Sequence, residues 1–597
     1  QFEERKIQMK RKHWIALSLI LMSSFLFSCT PSSHETSSSS IQKQIILSHH
    51  NLFLEVGESQ EITATLNYED PSFLTFEWLS TDEEIISFQE GKIYALQEGT
   101  AEIIVSYLDL EESCKVTVLP LKDMQENSGE IHMYAMNDFH GAIESSGKEI
   151  GLLKNGTFFK EKRKEENTLI LNSGDMFQGS IYSNSNYGEF LAKCMNNIGF
   201  DCFTLGNHEF DWGQKYIQKN RKLKDEKTNY ATPYLGANIY HYDMKTHSIL
   251  NQASDLVDPY VIRELNNGLR VGIIGVIGED QISSITSNYV DDLDFVVPTK
   301  IIKELSDELR MNKKCDVVIL DAHASYQQID KSITEVSQKT NKKYIDAAFL
   351  AHSHQFEEYE VNQVPFVQGS SNGKAYSEIH LTLENGNVVK TNYTSHQNGN
   401  LATNQITNYD TEIVQLYEFY TKSAEEKAKE NLGVLNGNLY SSCDSESPLP
   451  NLVVKAMAEE AKKQGYKVDF AICNNARASL YSGNLTYEKL YKALPFDNEL
   501  HILRVRGDSI IRQSRYNSVY RVLNKTISNS EYYTIVVIDY LAFHRNTSRN
   551  YDYFSDQKHL GKLEKEGKNI YSYRDLVADY IRKNKTIDAS DFAPDNA

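Results

Sequence analysis

Five times between residues 131 and 354 a short apolar run ends in a cluster of His, Asp and Asn, and this repetition constrains the fold more than any other feature. The clusters are Asn137-Asp138-Phe139-His140-Gly141, Gly174-Asp175-Met176-Phe177-Gln178-Gly179, Gly206-Asn207-His208-Glu209-Phe210-Asp211, Asp321-Ala322-His323 and Ala351-His352-Ser353-His354. Strand-like runs precede them at 131–136, 168–171, 203–205, 317–320 and 347–350, with two more at 271–277 and 364–368. Helix-like stretches such as 299–311 lie between. Strands alternating with helices predict a layered α/β core. In such sheets ligands gather beyond the strand C-termini, so five clusters at five strand ends can converge on one place.

The converging set would hold two carboxylates, one amide and four imidazoles. Mixed N/O sets suit Zn²⁺, Mn²⁺ or Fe²⁺ better than Ca²⁺ or Mg²⁺. Asp-x-His and His-x-His each put two side chains on one side of an extended segment. Glycines beside Asp175 and Asn207 permit tight turns and close backbone approach. Taken singly, every cluster has a plainer reading. Asp-x-His in a loop is ordinary solvated surface, and so is a His352/His354 pair. Residues 174–179 alone make a turn, and 207–211 alone make a helix cap. Their occurrence together, in order, separates the two readings.

The quoted motifs resemble those of the calcineurin-like metallophosphoesterases, in the bacterial 5′-nucleotidase/UDP-sugar hydrolase/cyclic phosphodiesterase branch. NDFHG, GDMFQGS, LGNHEFDWG and AHSH carry the resemblance, with MNNIGFD before LGNHEFD and PYLGANI at 233–239. It covers residues 130–588 and implies a multidomain α/β protein: a four-layer αββα domain at 128–405, a linker helix at 406–432 and a C-terminal α/β substrate domain at 433–590. It also implies two divalent ions, Zn, Mn or a similar metal. Asp138, His140 and His354 would hold the first, Asn207, His323 and His352 the second, and Asp175 would bridge them. His208 and Asp211 resemble the catalytic dyad. The substrate would be a nucleotide or another small phosphoester, of 5′-nucleotidase type. The alternatives on the same scaffold are a 2′,3′-cyclic phosphodiesterase with 3′-nucleotidase activity and a UDP-sugar hydrolase. A non-enzyme alternative is a surface adhesin with an inactive phosphatase domain.

The resemblance places Arg477 after a turn at 474–476, where it would hold an anion bidentately. In the loop Pro495-Phe496-Asp497-Asn498, Phe496 would stack on the base and Asn498 hydrogen-bond to it. Tyr540 fits the second stacking position, but Phe543-His544-Arg545-Asn546 replaces the glycines and acid that usually follow.

Upstream, Met9 starts a second pattern. Lys10, Arg11 and Lys12 precede an apolar stretch at 14–27 and then Cys29. This is the order of a secretory signal, too short to span a bilayer comfortably. It resembles a bacterial lipobox with Cys29 as the lipidated residue and Met9 as the true start. Residues 1–29 are therefore expected to be signal and 30–40, rich in Ser and Thr, a flexible tether. Residues 41–120 read as all-β around Trp78 and resemble a bacterial Ig-like (group 2) sandwich. Such a module would act as a spacer, with cell-wall or surface contact open to it. The chain is expected outside the cell, anchored on the outer face of a bacterial membrane. Its net charge of −20, from 62 basic and 82 acidic residues, argues against a nucleic-acid polymer as partner.

Overall fold

The computed structural model describes residues 43–592, apart from 68–73, 123–126, 146, 397–401, 442–447, 523–525, 544, 547–550, 555–556 and 566–570. The signal region with Cys29, the tether and His544 lie outside the described residues.

Strand periodicity builds the central layers. Along Gly129–Met136, Ile131, Met133 and Ala135 face one way, while Tyr134 and Met136 face the other. Leu169 and Leu171 part from Ile170 in the same manner, as do Val271 and Ile273 from Ile274 and Val276. Because alternate residues leave a strand on opposite faces, a strand apolar at every position must be covered twice. One six-stranded sheet runs Tyr234–Leu235, Cys202–Thr204, Thr168–Asn172, Gly129–Met136, Tyr376–Glu384, Asn387–His396. Its first four strands are parallel and its last two antiparallel. The other runs Tyr260–Glu264, Arg270–Ile277, Val317–His323, Ala347–Phe349, Val364–Gly369, Phe356–Val361, parallel except at both edges. A dry core that includes Ile131, Leu171, Ile273, Ile319 and Leu381 lies between the sheets. Helices Leu152–Lys162 and Glu189–Ile198 cover the first sheet through Phe158, Phe159 and Phe190, and Pro298–Met311 covers the second through Ile302 and Leu309. The layers are αββα, as expected.

The helix Thr411–Ala428 starts at Asp410, whose side chain accepts from the backbone N–H of Glu412 and Ile413. Such a cap satisfies donors that have no partner within the helix. The helix is glued to the αββα unit: Ile413 is fully buried, and Tyr420 stacks on Phe190 at 5.0 Å and donates to Glu189 at 2.7 Å. Beyond it, a five-stranded sheet runs Ser518–Arg521, Phe470–Cys473, Tyr532–Ile538, Leu500–Arg506, Lys558–Lys562, with helix Pro448–Lys463 packed against it.

Residues 43–119 form short strands around Ile93, Ile103, Val105 and Val116. Trp78 is half-buried at the edge of this core, stacked on Phe88 at 4.6 Å, rather than at its centre. This β unit is docked on the αββα unit through charge. Arg270, fully buried, donates to Glu55 across the junction at 2.6 Å, to the Pro120 carbonyl at 3.0 Å, and to the Glu264 carboxylate. Lys314 reaches the second oxygen of Glu55 at 2.8 Å. Removing one partner of a buried pair strands the other's charge, which costs about 3–5 kcal/mol. Arg270→Met should therefore lower the free energy of unfolding in urea by up to that amount, with Lys314 still holding part of the Glu55 charge, and adding Glu55→Gln should recover much of the loss. Unchanged unfolding in the single variant would show that the junction carries no such weight.

Candidate active site

The clusters stand at one end of the two sheets, but not in the extended geometry expected of Asp-x-His and His-x-His. Asp138, His140, Asp175, His352 and His354 all have left-handed backbones, with φ of 45°, 49°, 53°, 73° and 58°. Each such non-glycine residue costs of order 1–3 kcal/mol and persists only when its surroundings over-determine it. The chain thus bends sharply at each strand end, and the bends bring the side chains together. Asp321-Ala322-His323, expected to follow a strand, lies inside one. The strand Val317–His323 continues through it, and Asp321 faces the other sheet, where it accepts from Ser173 Oγ and Thr204 Oγ1, both at 2.6 Å.

The glycines act as foreseen. A Cβ on Gly174 would sit 2.5 Å from His323 Nδ1, and one on Gly206 would collide with Asp175. Only glycine lets the two turns close on each other.

The ligand atoms of Asp138, His140, Asp175 and His354 lie within 4.8 Å of one another, and so do those of Asp175, His323 and His352. Asp175 belongs to both groups. His323 gives its Nδ1 edge to the Ser173 carbonyl at 2.8 Å and His140 gives its Nδ1 edge to the Gln178 carbonyl at 3.2 Å. Each turns its Nε2 edge inward, the orientation that outer hydrogen bonds impose on metal-ligating imidazoles. His323 Nε2 and Asn207 Oδ1 are buried with no hydrogen-bond partner. Burial pushes His140 down to about 3 and His352 to about 4, so both rings are neutral, the form that binds metal. Burial opposes charge on Asp175, yet His323, itself raised to about 9 by Asp175 and Asp138 despite its burial, and His208 outweigh it and hold the carboxyl well below the usual range. A converging set of carboxylates, imidazoles and an amide oxygen fits divalent cations.

Glu209, to which the sequence reading gave no role, holds this arrangement from behind. Its buried carboxylate accepts from the backbone N–H of Asp175 at 2.9 Å, Met176 at 2.9 Å and Gly206 at 2.8 Å. The signal was present in the third cluster but indistinguishable there from a ligand. Asp175 Oδ1 in turn accepts from the His208 N–H at 2.9 Å. His208 Nδ1 meets Asp211 Oδ2 at 2.8 Å, which leaves Nε2 as the edge turned to the cavity. Burial disfavours charge on this ring, but Asp211 and Asp175 outweigh it and raise its pKa above the ordinary value.

The second α/β unit closes over the cluster. Arg477 Nη2 lies 2.8 Å from His208 Nε2, and Phe496 stacks on the His208 ring at 5.6 Å. Arg477, Phe496, Asn498 and Tyr540 line one cavity of about 1010 Å³ together with Asp175, Asn207, His208, Asp211, His352 and His354. Asp138, His140 and His323 lie buried beneath it. Arg574, also missed in the sequence, buttresses the loop: it donates to the Phe496 carbonyl at 2.9 Å, pairs with Asp497 and lies over the Tyr491 ring at 3.7 Å. Phe543 turns away to pack edge-on against His501 at 4.8 Å.

Comparison with known proteins agrees with this architecture. The calcineurin-like phosphoesterase family matches residues 131–356, and the 5′-nucleotidase C-terminal domain family matches residues 427–513. A cell wall protein of Listeria monocytogenes is 25% identical over 551 residues, covering 74% of this chain and 69% of the relative. A 5′-nucleotidase of Vibrio cholerae is 25% identical over 424 residues, covering 63% of this chain and 73% of the relative. The crystal structure of a 5′-nucleotidase precursor from Thermus thermophilus superposes with a TM-score of 0.61 at 19% identity, over 77% of this chain and 97% of that one. The chain belongs to the calcineurin-like phosphoesterases that carry a 5′-nucleotidase C-terminal domain, and it is a phosphoric ester hydrolase.

Proposed function

We propose that the chain is an extracellular 5′-nucleotidase-type hydrolase working with two divalent transition-metal ions, Zn or Mn by the chemistry of its donors. One observation carries the reading: two acceptor groups share Asp175, and Asn207 Oδ1 and His323 Nε2 stand among them without a partner. Asp138, His140 and His354 would hold one ion, Asn207, His323 and His352 the other, with Asp175 between them. When bound, such a pair neutralises phosphoryl charge and lowers the pKa of water to near neutrality.

The chain's own residues supply the rest. His208, oriented by Asp211, presents Nε2 to the cavity and donates a proton to the leaving oxygen. Arg477 offers a guanidinium to the phosphoryl oxygens, where a fixed fork is worth more than a mobile ammonium. Phe496 and Tyr540 receive the base, and Asn498 fixes its edge. Enclosure by the second unit excludes water and strengthens each of these interactions. The 2′,3′-cyclic phosphodiesterase and UDP-sugar hydrolase readings share this machinery. Phe543 packing on His501, in place of the family's glycine segment, leaves the ribose contacts open and keeps them as alternatives. An adhesin with an inactive site finds no support, because every candidate ligand is in place.

Secretion and lipid anchoring through Cys29 complete the proposal, with residues 41–120 as an Ig-like module between anchor and enzyme. The relative named as a cell wall protein favours a position outside the membrane. Among the described residues no helix is long and apolar enough to cross a membrane.

Phosphate release from AMP, 3′-AMP, 2′,3′-cyclic AMP and UDP-glucose, measured with added Mn²⁺ or Zn²⁺, chooses the substrate. Asp175→Ala should lose both bound metal and activity. His208→Ala should keep its metal, measured by plasma emission, while kcat falls about 10²–10⁴-fold, the usual contribution of a positioned acid. Full turnover in His208→Ala would remove that residue from the mechanism. Cys29→Ser should release the enzyme into the medium and abolish labelling by radioactive palmitate. Continued membrane retention would refute the anchor.

A further inference from the structure

A lysine, an asparagine and a buried carboxyl come together where the β unit meets the αββα unit. Strand Leu110–Leu119 has Asn51–Glu55 beside it, parallel, and Gly99–Tyr107 on its other side, antiparallel. The register sets Lys115 directly against Asn51 on one side and Glu102 on the other. The adjoining Leu52, Ala101, Ile103, Cys114 and Val116 point into the β core, so all three polar side chains leave on the opposite face. Neighbouring strands stand about 4.8 Å apart, a gap that a lysine side chain spans easily.

The αββα unit supplies the carboxyl. Asp258 is buried, and its Oδ2 accepts from Asn51 Nδ2 at 2.5 Å. Arg221 also reaches that oxygen, at 3.3 Å. Burial nevertheless pushes the Asp258 carboxyl above its usual value, toward the protonated form that can donate. Glu102 is committed elsewhere, paired with Lys224 at 2.8 Å. Lys115 is half-buried, and among the described residues its ammonium makes no hydrogen bond or ion pair. Burial, helped by the cations Arg263 and Lys224, lowers its pKa despite Glu102 and Asp258. A lysine amine desolvated beside other cations is activated as a nucleophile. A nucleophile, an acyl group and a proton donor thus share one junction.

We propose that the Lys115 amine and the Asn51 carboxamide join in an amide bond, a covalent link between two neighbouring strands of the β unit. The neutral Nζ attacks Asn51 Cγ, and a new N–C bond forms. Asp258 gives its proton to Nδ2, the Cγ–Nδ2 bond breaks, and ammonia departs. The proton that Nζ sheds returns to Asp258, so the carboxyl ends as it began. No oxidant, reductant or cofactor enters. The groove beside Lys115, which Thr100, Glu102, Ser113 and Asn229 help to line, gives the ammonia a way out. The bond would carry a pull along the chain from Asn51 straight to Lys115, past the strands between them. Like a disulfide, it would also restrict the unfolded chain. It is independent of the metal ligands and of the substrate.

The test is a tryptic digest of the full chain, unfolded beforehand and read by mass spectrometry. Trypsin does not cut after an amidated lysine, so the peptide with Lys115 should run through that residue and carry the Asn51 peptide as a branch. The branched mass should equal the sum of the two peptides less one ammonia. Lys115→Arg and Asn51→Ala should each return linear peptides, while phosphate release stays unchanged as the check on folding. Asp258→Asn, which keeps the shape but has no acid proton to give, should lower the linked fraction of freshly made protein about tenfold or more. Complete linkage in Asp258→Asn would remove that carboxyl from the reaction. Only linear peptides from the unaltered chain, cut after Lys115, would overturn the bond itself.

Discussion

Everything in the site hangs on the carboxylate of Asp175. It sits where two groups of acceptors overlap, its backbone N–H is held by Glu209, and one of its oxygens receives the His208 N–H. A buried carboxylate of this kind is costly unless charge of the opposite sign meets it. Here the protein surrounds it with imidazoles and an amide oxygen, a set of groups that divalent cations fit. The outer hydrogen bonds matter as much as the ligands. Ser173 and Gln178 carbonyls set which nitrogen of His323 and His140 faces inward, and Glu209 ties the Asp175 turn to the Gly206 turn.

The same economy explains the concentration of strain. Five left-handed residues in three short turns would be unfavourable in isolation. Two sheets packed across a dry core hold the strand ends immobile, and the turns have no freedom to relax. The scaffold tolerates this because its cohesion lies elsewhere, in alternating apolar residues far from the site. The β unit at residues 43–119 adds to that rigidity through the buried Arg270–Glu55 contact. It is docked on the catalytic unit, which differs from a loosely tethered spacer.

The second α/β unit turns the cluster of candidate ligands into an enclosed site. Arg477 reaches His208, Phe496 stacks on it, and Asn184 of the αββα unit donates to the Pro495 carbonyl at 3.1 Å. The cavity therefore lies at a junction, where side chains from both units meet.

What the sequence determined was the part written in local pattern. Continuous apolar runs pointed to sheets covered on both faces, and polar clusters at their ends pointed to a shared site. The glycines at 174 and 206 were legible because only their lack of a Cβ permits such closeness. Tertiary structure decided the rest. It assigned Asp321 to an inter-sheet contact and Glu209 to backbone support, although both stand in clusters that read as ligands. It bent Asp138, His140, His352 and His354 into left-handed turns where spacing alone suggested extended chain. It set Arg574 behind Phe496 across 78 residues of separation. The reason is physical: a carboxylate or an aromatic ring looks the same in sequence whether it faces a metal, a backbone amide or another ring. Which of these it meets depends on contacts between segments remote in the chain.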